Sequence, residues 1–231
     1  TLAALFGGFY AIVMAMNGRF ELASMGVFCA MVLDSLDGRV ARMTNTQSAF
    51  GEQMDSLSDM VSFGFVPASV LFVLWNDALA ADAEPWMRYG GSVLCFVVAA
   101  FSALRLAKFH IDETQHTEFC GLPTPANALF FAALGWMNAK TGFSLGVWVL
   151  LLMPVMSWLL ISPVRMFAFK FRSFSFKGNE IRYIFIALAV VLLVALGIPA
   201  VPIVILLYIA ISAVGWGMSL KKPGSAACPE K

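Results

Sequence analysis

Charged residues are scarce in this chain, and neither sign is in excess. Of its 231 residues only 13% are Asp, Glu, Lys or Arg, whereas 60% are hydrophobic and the mean hydropathy is +0.83. A soluble domain carries about 25% charged residues. The formal net charge of +1 gives no electrostatic basis for binding nucleic acid. The composition excludes an ordinary soluble domain and predicts a single polytopic membrane domain over residues 1–231.

Cysteine and histidine are also few, and neither forms a metal-binding pattern. The cysteines make no CxxC pair, and the two histidines lack the spacing of a zinc site. We expect Cys29 and Cys95 to be small buried hydrophobes, because both fall within apolar runs. The sequence begins at Thr1 inside an apolar run and shows no cleavable signal peptide, so we expect a trimmed N-terminus.

Eight apolar segments follow one another, separated by glycine, proline or polar breaks. We place them at 2–16, 21–40, 51–75, 89–109, 125–138, 145–167, 181–196 and 201–220. Runs of this length predict helices rather than barrel strands, because a helix needs about 20 apolar residues to cross a bilayer. The predicted fold class is therefore an all-α integral membrane protein.

Lysine and arginine lie mostly on one side of this predicted topology. If the segments alternate and the connection 39–53 is cytoplasmic, that side holds 12 of the 15 basic residues and the other side holds 3. Basic residues are enriched in cytoplasmic connections. The distribution predicts a multi-pass protein with a cytoplasmic tail at 221–231, and we expect it to lie in the cell (inner) membrane.

Four aspartates interrupt the apolar segments at helical spacing. Asp34 and Asp37 are three residues apart and Asp55 and Asp59 are four apart, so each pair shares a helix face. A carboxylate at membrane depth is costly and usually marks a functional site. Oxygen ligands of this kind favour Mg²⁺ or Mn²⁺, and two such ions suit a diphosphate. We expect the four carboxylates to converge on a site for two divalent ions.

Two glycines and an arginine near the aspartates favour phosphate chemistry. Gly38 and Gly51 leave room for a flat base or sugar beside the helix backbone. Arg42 presents a planar set of donors that suits phosphate. The aspartate spacing alone also fits an ion pathway or a proton relay. A divalent-cation transporter is therefore the alternative from another class, and it would not need these three residues.

Residues 34–59 match the pattern D-x2-D-G-x2-A-R-x8-G-x3-D-x3-D without a departure. The matching positions are Asp34, Asp37, Gly38, Ala41, Arg42, Gly51, Asp55 and Asp59. In this pattern the chain resembles the CDP-alcohol phosphotransferase family. The resemblance implies transfer of a phosphatidyl-type group from a CDP-linked lipid to an alcohol, with release of CMP. It implies that Asp34, Asp37 and Asp55 bind the metals. Asp59 is implied as the base for the acceptor hydroxyl, and we count it among the metal ligands as well.

The same resemblance implies a nucleotide site and an architecture. The CDP and diphosphate site would comprise Asp34, Gly38, Ala41, Arg42, Gly51 and Asp55. The family core has six helices, here residues 1–170, is often a homodimer and opens to the cytoplasm. The two helices within 171–220 would be an addition to that core.

Three further stretches resemble the membrane-integral bacterial phosphatidylserine synthases within this family. They are GFYAIVMAMNGRFELA near the start, LRLAKFHIDETQHTEFCGLPTPANALF at 104–130 and FKGNEIRYIF at 176–185. His110 is a departure, because the family usually has Asn there. The resemblance implies CDP-diacylglycerol as donor, L-serine as acceptor and membrane lipids as partners. Glycerol 3-phosphate, an inositol phosphate and choline stay open as other acceptors.

A serine acceptor would bring a carboxylate into the site, so a cation is expected near the aspartates. We expect Arg105 to bind it, with Lys108 one turn further along the same segment. The alternative is that both residues anchor a helix end at the membrane interface. Asn127, which follows Pro123 and Pro125, is expected either to face the cavity or to cap the helix entry.

Overall fold

The computed structural model describes residues 1–44, 48–80, 83–111, 119–141, 148–166 and 180–219, and within these ranges the chain is mainly helical. The helices are α1 Leu2–Met16, α2 Phe20–Met43, α3 Ala49–Asp59, α4 Val66–Ala78, α5 Pro85–Leu94, α6 Val97–Ile111, α7 Thr124–Thr141, α8 Trp148–Ile161, α9 Glu180–Leu196 and α10 Ala200–Ser219. A π-helical segment, Met60–Phe65, joins α3 to α4. The predicted tail at 221–231 lies outside the described residues, as does the side chain of His110.

Helical structure occurs in each of the eight predicted apolar segments, so the prediction of a mainly helical fold is confirmed. Among the described residues, two helices are long and apolar enough to cross a membrane, at Ala49–Ala78 and Pro85–Phe109. Shorter apolar helices lie at Leu2–Met16, Leu151–Ile161, Arg182–Leu196 and Ala200–Trp216. These helices are compatible with a membrane protein, and the number of membrane spans stays a prediction.

The sixth predicted segment, 145–167, extends too far towards its C-terminal end. Helix α8 ends at Ile161, and a short strand, Arg165–Met166, follows it. Pro163 explains the break, because its ring disfavours helical backbone at the preceding residue and it has no amide hydrogen. The strand pairs antiparallel with Phe119–Cys120, in the register Phe119 to Met166.

The connection predicted at 39–53 is mostly helical in the structure. Helix α2 continues to Met43, and α3 already begins at Ala49. Ser48 caps α3, because its Oγ accepts a hydrogen bond of 3.0 Å from the Gly51 amide. The expectation that Cys29 is buried is wrong, since Cys29 is exposed on α2, whereas Cys95 is buried as expected.

Small residues let the first helices approach closely. A Cβ on Gly26 of α2 would lie 3.0 Å from the Ala11 Cβ of α1, and a Cβ on Gly7 would lie 3.3 Å from the Ala30 Cβ. Close helix approach at small residues is typical of membrane helix pairs. Helix α7 packs against α2, α4 and α10, and its Phe131 is fully buried. The π-helical segment that follows α3 contacts α6 and α7, and α2 contacts α7.

Candidate active site

The carboxyl groups of Asp34 and Asp55 meet across the junction between α2 and α3. The two side chains share a hydrogen bond. Two carboxylates this close repel each other unless a proton or a cation lies between them. Within the described part of the chain, Asp34 Oδ1 is buried and has no hydrogen-bond partner. The pair is therefore suited to a cation.

Asp59 lies beside this pair, at the last residue of α3. It interacts electrostatically with Asp34, Asp55 and Arg105. Its Oδ1 is buried and lacks a hydrogen-bond partner among the residues that the structure describes. The structure thus brings three of the four predicted aspartates into one electrostatic cluster.

Asp37 has a different environment from the other three aspartates. Its Oδ2 accepts hydrogen bonds from the hydroxyl and the α-amino group of Thr1. Among the residues that the structure describes, no three Asp, Glu, His or Cys side chains form a group that could hold one metal ion. The oxygen donors, the Asp34–Asp55 pair and the unpartnered carboxylate oxygens fit a divalent cation in their chemistry. The metal-ligand set of four aspartates stays a prediction.

The glycine at position 38 leaves open space beside α2. Apart from its two chain neighbours and the backbone of its own helix, only the Arg42 Nη2 of the described residues would lie within 4 Å of a Cβ built there, at 3.9 Å. A glycine inside a helix costs about 1 kcal/mol relative to alanine. Because the described packing does not require glycine here, the position is suited to a ligand that approaches the backbone.

Arg42 and Gly51 make local contacts in the structure. Arg42 is exposed, and its Nε donates to the Gly38 carbonyl over 2.9 Å, while Ala41 beside it is half-buried. A Cβ on Gly51 would lie 3.2 Å from the capping Ser48 Oγ. Gly51 therefore has a role in forming the start of α3, which the sequence analysis did not predict.

Arg105 of α6 lies between the aspartates and the start of α7. Its Nη1 donates to the Thr124 hydroxyl over 3.4 Å, and it interacts electrostatically with Asp59 and with Tyr208 of α10. Its Nε is buried and unpartnered within the described residues. A permanent cation beside an acidic cluster suits an anionic ligand group, and this role of Arg105 stays a prediction.

The other two residues predicted to bind serine differ in their exposure. Asn127 is fully buried in the first turn of α7, and neither polar atom of its side-chain amide has a partner among the described residues. A buried polar group left unpaired costs about 1–3 kcal/mol, which a bound ligand could offset. Lys108 is exposed, one turn beyond Arg105.

Sequence reasoning missed three residues, of which two interact with Arg105 and one lies in the segment that follows Asp59. Thr124 contacts Arg105, Tyr208 interacts with it from α10, and Ser62 lies in the π-helical segment after Asp59. Ser62 is close to Asp59 in sequence, but nothing in its spacing indicates a contact with α1. Thr124 and Tyr208 reach the site only through the packing of α7 and α10.

Together these features define a class of helical protein in which apolar helices surround an acidic cluster beside a half-buried arginine. A family model described as CDP-alcohol phosphatidyltransferase matches residues 1–164, which is more than half of the chain. The chain belongs to this family. The family is one of phosphotransferases that generally use divalent metal ions. Helices α9 and α10 lie outside the matched residues.

Several curated proteins are similar to parts of the chain. A CDP-diacylglycerol–serine O-phosphatidyltransferase of Helicobacter pylori J99 is 35% identical over 147 residues, which cover 62% of this chain and 58% of that protein. A protein of the same name from Methanocaldococcus jannaschii is 40% identical over 103 residues, 45% of each chain. An archaetidylserine synthase of Methanothermobacter thermautotrophicus is 31% identical over 159 residues, 68% of this chain and 63% of that protein. The match thus spans less than two thirds of each relative.

Proposed function

We propose that the chain transfers the phosphatidyl group of CDP-diacylglycerol to the hydroxyl of L-serine, giving phosphatidylserine and CMP. The observation that carries the proposal is that Asp59 interacts electrostatically both with the Asp34–Asp55 pair and with the half-buried Arg105. The carboxylates would hold cations and a diphosphate, and Arg105 would hold an anionic acceptor group. Membership of the family and the names of the relatives support this assignment.

On the donor side, the carboxylates would hold the metal ions and the diphosphate. Asp34, Asp37 and Asp55 are the proposed ligands of two Mg²⁺ or Mn²⁺ ions, and Asp59 would share them. When bound, such ions neutralise diphosphate charge and polarise the attacked phosphorus. Gly38 leaves room for the CDP moiety beside α2. The rest of the proposed CDP site is Ala41, Arg42 and Gly51.

On the acceptor side, Asp59 would act as the general base. It takes the proton of the serine hydroxyl as the serine oxygen forms a bond to the β-phosphorus. The bond from that phosphorus to the CMP phosphate oxygen breaks, and CMP leaves. Arg105 binds the serine carboxylate, Asn127 offers it an unpaired amide, and Lys108 draws anions towards the site.

We further propose a setting for this chemistry in the cell (inner) membrane. The eight helical segments would be membrane spans, with a six-helix core over residues 1–170 and α9 and α10 added to it. The excess of basic residues on the side of 39–53 supports an active site that faces the cytoplasm. Membrane lipids and a second copy of the chain, in a homodimer, are the proposed partners.

The proposal is tested by supplying labelled CDP-diacylglycerol with one alcohol at a time to the protein in lipid vesicles. L-Serine should give a labelled lipid and an equal amount of CMP, whereas glycerol 3-phosphate, inositol phosphate and choline should give neither. A labelled lipid with another of these alcohols but not with serine would contradict the acceptor assignment. Divalent-cation flux without CMP release from any alcohol would support the transporter instead.

A further inference from the structure

The helix that carries Asp59 changes its geometry directly after this residue. Asp59 ends α3, and the next six residues, Met60–Phe65, are π-helical. A π-helix bonds residue i to i+5 and is a rare, irregular element that is frequent at functional sites. We therefore expect the orientation of this segment to depend on contacts with neighbouring helices as well as on its own backbone hydrogen bonds.

Two buried serines near Asp59 provide such contacts. Ser58 and Ser62 are each 1% exposed. The Ser62 Oγ donates to the Ala4 carbonyl of α1 over 3.2 Å, and the Ser58 Oγ donates to the Thr1 carbonyl over 3.3 Å. Both bonds cross to a different part of the chain.

Buried serines in α4 and α6 donate their hydrogen bonds to carbonyls four residues earlier in the same continuous helix. The Ser69 Oγ of α4 donates to the Phe65 carbonyl four residues earlier, over 2.9 Å. The Ser102 Oγ of α6 donates to the Val98 carbonyl, also over 2.9 Å. Ser69 therefore lies in the same continuous helical stretch as Ser62, but its hydroxyl does not bond to another helix.

A close backbone approach accompanies the Ser62 bond. A Cβ on Gly8 of α1 would lie 2.4 Å from the Ser62 Oγ and 2.8 Å from its Cα. On another side of the segment, a Cβ on Gly64 would lie 3.3 Å from the Ser102 Cβ of α6. The π-helical segment is thus held between α1 and α6, three residues beyond Asp59.

We propose that Ser62 and Gly8 are positioning residues that fix the Asp59 carboxyl group at the reacting atoms. The inference rests on the proposed function, in which Asp59 is the general base. The Ser62 hydroxyl bonds the π-helical segment to the main chain of α1. Gly8 has no side chain, so it lets the segment approach α1 closely enough for this bond. A base displaced by a fraction of an ångström still permits both substrates to bind but accepts the proton less efficiently.

The first test compares Ser62→Ala with Ser69→Ala in the full chain. Ser62→Ala should lower kcat about tenfold and leave the KM values for CDP-diacylglycerol and L-serine within about twofold of wild type, because only base placement changes. Ser69→Ala should keep the wild-type kcat. Equal kcat values for the two variants, or a Ser62→Ala effect on KM alone, would overturn the proposal.

The second test approaches the same contact from α1. Gly8→Ala should lower kcat in the same way, whereas Gly90→Ala on α5 should not. Apart from its chain neighbours and its own helix backbone, no described residue comes within 4 Å of a Cβ at position 90. Wild-type kcat in Gly8→Ala would overturn the role of the close approach. Failure of the proposed function looks different, because wild type would then make no lipid from serine, or Asp59→Asn would stay active.

Discussion

Arg105 on α6 donates a hydrogen bond from Nη1 to the Thr124 hydroxyl over 3.4 Å, which ties the guanidinium group to the first residue of α7. The same side chain interacts electrostatically with Asp59, the last residue of α3. Three helices therefore meet at one half-buried cation. An anion held by Arg105 would lie beside the carboxyl group that we propose as the base.

Substitution of Arg105 tests whether this cation binds the acceptor carboxylate. Arg105→Lys keeps a charge but loses the planar set of donors, so the KM for L-serine should rise about tenfold while the KM for CDP-diacylglycerol stays unchanged. Arg19→Lys, at an exposed residue before α2, is the matched control. A rise in the KM for the CDP-lipid alone would assign Arg105 to the donor side.

Substitution of Asp59 separates the base from the metal ligands. Asp59→Asn should abolish turnover and leave CDP-diacylglycerol binding largely intact, because an amide cannot accept the proton. Asp37→Asn should weaken metal and nucleotide binding together. Binding of the labelled CDP-lipid to each variant measures the difference, with Asp77→Asn at an exposed position of α4 as control. Equal loss of binding in both variants would make Asp59 another ligand.

Removal of divalent ions tests the need for a cation between the carboxylates. Chelation with EDTA should stop lipid formation, and Mg²⁺ or Mn²⁺ should restore it. Asp34 and Asp55 lie within hydrogen-bonding distance, and two ionised carboxylates that close repel each other unless a cation lies between them. Asp34→Asn should raise the metal concentration needed for half-maximal rate. Full activity after exhaustive chelation would remove the metal from the proposed mechanism.

The apolar runs predicted the helical segments, because helices follow from local periodicity. The interaction of Asp34 with Asp55 joins two helices, and the spacing within either helix does not determine it. Segment ends were less predictable. The C-terminal end of α8 is set by Pro163, which the apolar pattern of 145–167 obscured. The hydrogen bond of Ser62 to Ala4 and the electrostatic interaction of Arg105 with Tyr208 depend on which helices pack together. A single sequence contains no spacing that indicates such pairs.

Tyr208 gives a prediction for α10, which lies outside the residues matched by the family model. Its side chain is 7% exposed, its ring lies 6.0 Å from that of Phe185, and it interacts electrostatically with Arg105. Tyr208→Phe keeps the ring, so it should preserve folding but raise the KM for L-serine about threefold through the lost hydroxyl.

The link between Tyr208 and Arg105 is checked by a double-mutant cycle. In the Arg105→Lys background, Tyr208→Phe should add little to the KM for L-serine, because the effects of residues that interact are not independent. Tyr89→Phe, at an exposed tyrosine of α5, should leave all kinetic constants at their wild-type values. Additive effects of Tyr208→Phe and Arg105→Lys would show that the two residues act separately.

Gly121 gives a prediction for stability at the turn that leads into α7. Its φ is +78°, and a Cβ there would lie 2.4 Å from the Leu160 carbonyl oxygen of α8. Gly121→Ala therefore combines a left-handed backbone, which costs a residue other than glycine about 1–2 kcal/mol, with a steric overlap. Gly18 has a similar φ of +69° but no described atom within 4 Å of a Cβ. Gly121→Ala should lower the midpoint of thermal unfolding in detergent more than Gly18→Ala does. Equal shifts for the two variants would show that backbone strain alone, without the steric overlap, determines the loss of stability.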